Sequence, residues 1–170
     1  MIEEKYQQLC KTPSDINEHL PTLKKYALLS DTIFELGVRG MVSTWALLAG
    51  LPEEMCSIDI VHPSHHNGNV EEAEEMAKNE GVAWKFLKVS SLEIELPRHD
   101  LLFIDTLHFY DQLTQELKLH SPHTTKYIIL HDTIIPEMQL ALNDFLTGNR
   151  DWKIKEEFTN NSGLTVLQRV

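Results

Sequence analysis

Hydrophobic and polar positions follow two periods along this chain. Short apolar runs predict strands, and most precede segments with apolar residues three or four positions apart, as in amphipathic helices. Because strands that alternate with helices form parallel sheets covered on both faces, the pattern predicts an α/β fold. The predicted strands are 33–36, 55–61, 82–89, 101–104, 127–130, 152–158 and 164–167, and the predicted helices are 13–29, 43–49, 70–80, 109–119 and 136–148.

The two ends of the chain differ from this central pattern. A helical segment precedes the first strand, and the last two strands are joined by Asn160-Asn161-Ser162-Gly163, which is typical of a turn in an antiparallel hairpin. No repeat or linker divides the sequence, and 170 residues suffice for one core. We therefore expect one domain over 1–170, with an N-terminal helical segment at 1–29 and a Rossmann-like core at 30–170.

Composition and charge narrow the class of protein. A hydrophobic content of 42% and a charged content of 24% are ordinary for a globular protein. The net charge of −11 disfavours nucleic acid as a partner, because phosphate backbones would be repelled. Cys10 and Cys56 lack metal-type spacing and suit a reducing compartment, and no apolar run has transmembrane length. We expect a cytoplasmic protein with neither membrane nor nucleic acid as partner.

The most informative stretch follows the first predicted strand. The strand reaches Glu35, the chain then passes Gly37 and Gly40, and a helix begins near Ser43. Glycines at such a turn let the backbone approach a ligand, which is how parallel sheets form a nucleoside-sized pocket at their carboxyl edge. Glu35 can receive a cationic group of that ligand. The alternative is an ordinary strand–turn–helix whose glycines serve packing only.

Polar residues also follow the second and third strands. Asp59 lies about 20 residues beyond Gly37, where an acid accepts hydrogen bonds from ribose hydroxyls in nucleotide-binding folds. Alone, such an aspartate would be a loop or cap residue, but together with the glycine turn it favours a bound nucleoside. Ser90 and Ser91, after the third strand, either border an adenine or form an ordinary turn.

Ionisable residues follow the fourth and fifth strands. Asp105 comes directly after one apolar strand, and His131 and Asp132 after the next, so the three should meet at the carboxyl edge of the sheet. Two carboxylates with an imidazole or water can hold Mg²⁺ or Mn²⁺. His108 offers a different chemistry, as a general base near neutral pH. These residues could equally cap strand ends by bonding loop backbone.

Together these segments resemble class I S-adenosylmethionine-dependent methyltransferases. More narrowly, the chain is similar to the cephalosporin hydroxylase-like and the sugar and macrolide O-methyltransferases, over about residues 30 to 135. Their motifs are an E-x-G-x-x-x-G-x-S/T-like first turn, I-D after the second strand, I-D-x-x-H-x-Y after the fourth and H-D or E-D after the fifth. Here these correspond to Glu35–Ser43, Ile58-Asp59, Ile104–Tyr110 and His131-Asp132.

The resemblance implies a fold and a set of site residues. The fold is a Rossmann-like three-layer sandwich with a seven-stranded, mostly parallel sheet in the order 3-2-1-4-5-7-6 and a C-terminal antiparallel hairpin. The cofactor would be S-adenosylmethionine, with Mg²⁺ or Mn²⁺ as a metal. The implied cofactor residues are Glu35, Gly37, Gly40, Ser43, Asp59, Ser90 and Ser91, the metal ligands Asp105, His131 and Asp132, and the catalytic residues His108 and Asp105.

The implied activity is methyl transfer to a hydroxyl of a small molecule or sugar. A homodimer formed through the N-terminal helix would help to cover the acceptor site. Two departures from the family pattern bear on this hypothesis: residues 121–126 replace a proline and paired glycines before the fifth strand, and Ser90 replaces an acid that often contacts adenine. In addition, the first residue of the metal pair is His131. The other interpretations are a non-catalytic nucleoside-binding or assembly module, and an NAD-dependent oxidoreductase, which Glu35 and the closing hairpin disfavour.

Overall fold

A single twisted sheet forms the centre of the molecule. The computed structural model describes residues 1–170 and has a 7-stranded sheet in the order 3-2-1-4-5-7-6. Strands β1 to β5 pair in parallel, and β7 runs antiparallel to both β5 and β6. The predicted fold class, strand order and closing hairpin are confirmed. The strands are β1 Thr32–Leu36, β2 Glu54–Asp59, β3 Ala83–Lys88, β4 His99–Ile104, β5 Thr124–His131, β6 Trp152–Phe158 and β7 Leu164–Arg169.

Helices cover both faces of the sheet. The helices are α1 Ile2–Lys11, α2 Leu20–Ala27, α3 Val42–Leu48, α4 Val70–Asn79, α5 Tyr110–His120 and α6 Pro136–Gly148. Apolar residues of α1 to α4 pack on one face of the sheet, and those of α5 and α6 pack on the other. Each face therefore has its own apolar core, as the alternating strand and helix pattern requires. None of the helices is long and apolar enough to cross a membrane.

The N-terminal segment differs from the expected single helix over 13–29. It consists of α1, a 3₁₀ turn at Asn17–His19 and α2, which has Pro21 in its first turn rather than at a kink. Helix α1 was missed because Ile2 and Tyr6 are its only buried residues, so its apolar stripe is too sparse to recognise. The segment therefore packs as two short helices against α3.

Strand β2 also ends two residues earlier than expected, at Asp59 rather than Val61. The Asp59 carboxylate accepts a hydrogen bond from the Val61 backbone N–H at 2.9 Å, which turns the chain away from the sheet. The apolar side chains of Ile60 and Val61 are consequently exposed beside the strand end.

Gly37 is the point where three strand ends meet. Its N–H donates to the Ile58 carbonyl at 2.9 Å, while the Asp105 N–H donates to the Leu36 carbonyl at 2.8 Å. Gly37 has a φ of +87°, and a Cβ there would lie 1.9 Å from the Asp105 carbonyl oxygen. No other residue type fits without moving the backbone that carries Asp105.

We therefore expect Gly37→Ala to destabilise the protein by more than about 3 kcal/mol, because it adds both a backbone clash and an unfavourable φ. Gly81 is the matched control, since its φ is +82° but a Cβ there has nothing within 4 Å. Gly81→Ala should cost only about 1–2 kcal/mol. Urea unfolding of both variants measures the difference, and equal losses would contradict the close approach at Gly37.

Candidate functional site

Two adjoining cavities open at the carboxyl edge of the sheet. The larger has a volume of about 630 Å³ and the smaller about 310 Å³. Arg39, His66 and Asp105 line both, so the cavities share a wall. The loop Ser14–Ile16, which follows α1, borders the larger cavity. An elongated ligand could therefore place one part in each.

Asp59 shapes the turn after β1 and also lines the smaller cavity. Its Oδ2 accepts hydrogen bonds from the backbone N–H groups of Val38 at 2.8 Å and Arg39 at 3.0 Å. These bonds fix the first turn against the end of β2. A carboxylate oxygen has more than one lone pair, so Asp59 retains capacity to accept from a ligand hydroxyl. Its role at a ribose stays a prediction.

Glu35 does not face a cavity, contrary to the expectation that it lines the ligand. The side chain is 0% exposed and lies between β1, β2 and the first turn of α3. Its carboxylate accepts hydrogen bonds from Ser43 Oγ at 2.6 Å, Thr44 Oγ1 at 2.8 Å and Ser57 Oγ at 2.6 Å. Alternation along β1 places Glu35 on the same face as Ile33, beneath α3. Instead of the predicted contact with a cationic group of the ligand, Glu35 makes hydrogen bonds within the protein.

The same network changes the expected role of Ser43. Ser43 lines the larger cavity, but its hydroxyl donates a hydrogen bond inward to the Glu35 carboxylate. Gly40 also lines this cavity, as expected. However, the residue that directly precedes α3 is Met41, and it has the left-handed backbone conformation, with a φ of 68°, that was expected of a glycine. Counted from Glu35, the second glycine of the family motif falls on Met41, so the match to Gly40 was one residue out of register.

Ser90 and Ser91, for which the sequence left a ligand border and an ordinary turn open, line the smaller cavity together with Gly37. The Ser91 hydroxyl donates at 2.6 Å to Glu116, a fully buried carboxylate on α5. Glu116 was not singled out from the sequence. In the sequence, an acid one turn after Gln112 is typical of a solvent-exposed helix face. Only the tertiary structure shows that Glu116 is buried.

Asp105, His131 and Asp132 converge at the ends of β4 and β5, as their positions in the sequence predicted, and His108 lies beside them. His131 Nδ1 lies 3.0 Å from Asp132 Oδ2 and 3.4 Å from Asp105 Oδ1. His108 Nε2 lies 2.7 Å from Asp132 Oδ2 and 3.8 Å from Asp105 Oδ1. Asp132 is held at a φ of 58°, a conformation that a non-glycine residue adopts at an energetic cost. Two carboxylates and two imidazoles thus form one cluster beside both cavities.

Interactions between the charged groups of this cluster shift the pKa values of Asp105, His108 and His131. Burial lowers the pKa of His131, but its bonds to Asp105 and Asp132 outweigh burial and raise that pKa to about 10. Burial raises the pKa of Asp105, but bonds from the two histidines hold it well below its usual range. The neighbouring Asp105 and Asp132 also raise the pKa of His108. Without another cation, the carboxylates therefore keep imidazolium as their counter-ion.

The cluster also fits a divalent cation. One ligand atom from each of Asp105, His131 and Asp132 lies within 4.8 Å of the others. His131 Nε2 donates to the Asn161 carbonyl at 3.1 Å, so after loss of its second proton Nδ1 carries the lone pair that faces the carboxylates. An imidazole in the set suits Mn²⁺ or another transition ion better than Mg²⁺, which prefers oxygen ligands.

Known proteins are similar to this chain in structure but not detectably in sequence. No protein-family model matches the chain, and no curated protein matches it. An O-methyltransferase of tomaymycin synthesis from Streptomyces achromogenes, solved with S-adenosylmethionine, is 17% identical over 99% of this chain and 89% of its own, with a TM-score of 0.65. An O-methyltransferase from Bacillus cereus with S-adenosylhomocysteine is 14% identical over 99% and 90% of the two chains, with a TM-score of 0.65. A methyltransferase from Podospora anserina bound to S-adenosylhomocysteine is 15% identical over 99% and 87%, with a TM-score of 0.63.

This chain has the class I methyltransferase fold. The matches extend over nearly its whole length, and the sheet order is the one that the sequence resemblance implied. Within this methyltransferase fold, the cavities and the Asp–His cluster occupy the carboxyl edge of the parallel strands, where open α/β sheets bind ligands.

The buried Glu35 carboxylate should make stability depend on pH. Burial, opposed by three hydroxyl donors, raises the pKa of Glu35 from 4.5 to about 7. Between these values the folded protein keeps a proton that the unfolded chain releases, so stability falls as pH rises. Glu35→Gln removes this titration. Relative to that variant, the wild type should lose about 3 kcal/mol of unfolding free energy between pH 4.5 and 7.

Denaturant unfolding at several pH values measures this difference. Glu71→Gln, on the exposed side of α4, removes a surface carboxylate and is the control. A difference between wild type and Glu35→Gln that stays constant with pH would mean that Glu35 does not gain a proton on folding.

Proposed function

We propose that the protein is an S-adenosylmethionine-dependent methyltransferase that methylates a hydroxyl oxygen of a small molecule or sugar. The observation that carries this proposal is the pair of cavities that meet at Asp105. One is of nucleoside size and has Asp59 on its wall, and both lie beside the Asp–His cluster. The solved methyltransferases of the same fold with this cofactor or its product support the assignment.

The smaller cavity suits the nucleoside part of the cofactor. Asp59 offers carboxylate oxygens to the ribose hydroxyls. Ile60 and Leu107 line the same cavity and are 57% and 53% exposed, so their apolar surfaces are available to a flat purine. Stacking on them would bury apolar area that now faces water.

The larger cavity suits the amino-acid part. Arg39 lines it and pairs with Asp15 at 2.6 Å, so charges of both signs lie at its wall, as a zwitterion requires. S-Adenosylmethionine would supply a methyl group on a sulfonium, which is already a good leaving group. The chain must then align an acceptor oxygen and take its proton, and alignment alone can contribute about 7–11 kcal/mol in favourable cases.

Two features of the cluster could remove the acceptor proton. His108 is partly exposed, and an imidazole can act as the base once it is neutral. Because the pKa of His108 is raised, this route should accelerate as pH rises. Alternatively, a divalent ion held by Asp105, His131 and Asp132 would lower the pKa of a bound hydroxyl.

Isothermal titration with S-adenosylhomocysteine tests cofactor binding without knowledge of the acceptor. The wild type should bind, and Asp59→Asn should weaken binding about tenfold, because one charged acceptor at the ribose is lost. Asp100→Asn is the matched control, since Asp100 also accepts a backbone N–H, from Asp31 at 2.9 Å, but at the opposite edge of the sheet. Absence of binding by the wild type would refute the proposal.

The metal hypothesis has its own test. Electron paramagnetic resonance of added Mn²⁺ should show binding to the wild type, weakened at least about tenfold in Asp132→Asn because a charged ligand is removed. Asp100→Asn is again the control and should bind Mn²⁺ like the wild type. If Mn²⁺ stays free in solution with the wild type, the hypothesis that a metal ion assists proton removal is wrong. The proposal that His108 acts as the base is then retained.

A further inference from the structure

A second buried carboxylate organises the far wall of the smaller cavity. Glu116 is 0% exposed and projects from α5 toward the loops that follow β3 and β4. It accepts hydrogen bonds from Ser91 Oγ at 2.6 Å, Thr106 Oγ1 at 2.8 Å and Gln112 Nε2 at 2.8 Å. Each of these three donors belongs to a residue that lines the cavity. Glu116 therefore fixes one polar edge of the cavity from behind.

The network determines which way the Gln112 amide points. Its Nε2 also donates to Ser91 Oγ at 3.2 Å, so both amide hydrogens are used. The Ser91 hydroxyl gives its only hydrogen to Glu116, so toward Gln112 it can only accept, and the nitrogen end of the amide must face it. The oxygen Oε1 has no partner within the protein and is the polar atom that Gln112 offers to an occupant of the cavity.

We propose that Gln112 Oε1 accepts a hydrogen bond from the 6-amino group of adenine, and that Glu116 is the positioning residue that holds the amide in this orientation. This inference rests on the proposed function, because it assigns the adenine edge of the same cofactor site. It also accounts for Ser90, which lacks the carboxylate that the family pattern often has after the third strand. Helix α5 supplies the acceptor instead.

The arrangement should discriminate between purines at position 6. An adenine presents an N–H donor there, which pairs with Oε1. A hypoxanthine presents a carbonyl oxygen at the same place, so two acceptors would face each other and neither would be satisfied. Sites that hydrogen-bond a ligand group reject analogues without it, because their own polar atoms are left unpaired.

The test compares S-adenosylhomocysteine with S-inosylhomocysteine by isothermal titration. The wild type should bind the adenosyl compound at least about tenfold more tightly. Gln112→Met keeps the length of the side chain but removes the acceptor, and should reduce this ratio below about threefold. Gln115→Met, at an exposed position of the same helix, is the matched control and should keep the wild-type ratio.

Glu116→Met tests the positioning role. Without the carboxylate the Gln112 amide can turn either end to the purine, so the ratio should fall although Gln112 is still present. Thermal unfolding of each variant verifies that it is folded, and the affinity ratio is a readout that a general loss of packing would not move selectively.

A wild-type ratio near one, or a Gln112→Met ratio like that of the wild type, would overturn the inference. Failure of S-adenosylhomocysteine itself to bind the wild type would instead contradict the methyltransferase proposal on which the inference rests. The two failures are therefore distinguishable in the same set of titrations.

Discussion

The close approach of Gly37 to the Asp105 backbone is the constraint on which the site depends. It exists because β1 and β4 are neighbours in a parallel sheet and because Gly37 has no Cβ. The approach places the first turn directly against Asp105, one of the three residues that line both cavities. Asp59 then fastens the same turn to the end of β2 through two backbone amides. Three strand ends are thereby held in fixed relation before any ligand binds.

Two buried carboxylates extend this rigidity on opposite faces of the sheet. Glu35 joins β1, β2 and α3 through three hydroxyls, and Glu116 joins α5 to the loops after β3 and β4 in the same manner. A buried carboxylate is unfavourable unless it is fully hydrogen-bonded, and each of these has three donors. Satisfied networks of this kind specify a single arrangement of their partners. Both therefore act on the cavities indirectly, by fixing the residues that line them.

The sequence was sufficient for the sheet and for the convergence of the Asp–His cluster. Apolar runs mark the strands, and parallel strands bring their carboxyl ends to one edge, so Asp105 and Asp132 had to be close. It was insufficient where the outcome depends on side-chain direction. Strand position alone did not reveal that Glu35 faces α3, and helical spacing alone did not reveal that Gln112 and Glu116 face a cavity. Helix α1 was not predicted because only two of its residues, Ile2 and Tyr6, are buried, which leaves no apolar stripe to recognise.

We propose that one ligand, S-adenosylmethionine, occupies both cavities across Asp105. A crystal structure of the wild-type protein with S-adenosylhomocysteine would show whether it does. We predict the ribose hydroxyls on Asp59, the purine between Ile60 and Leu107, and the amino-acid part in the larger cavity beside Arg39. Density for the ligand at any other place on the protein, or none at a saturating concentration, would contradict it.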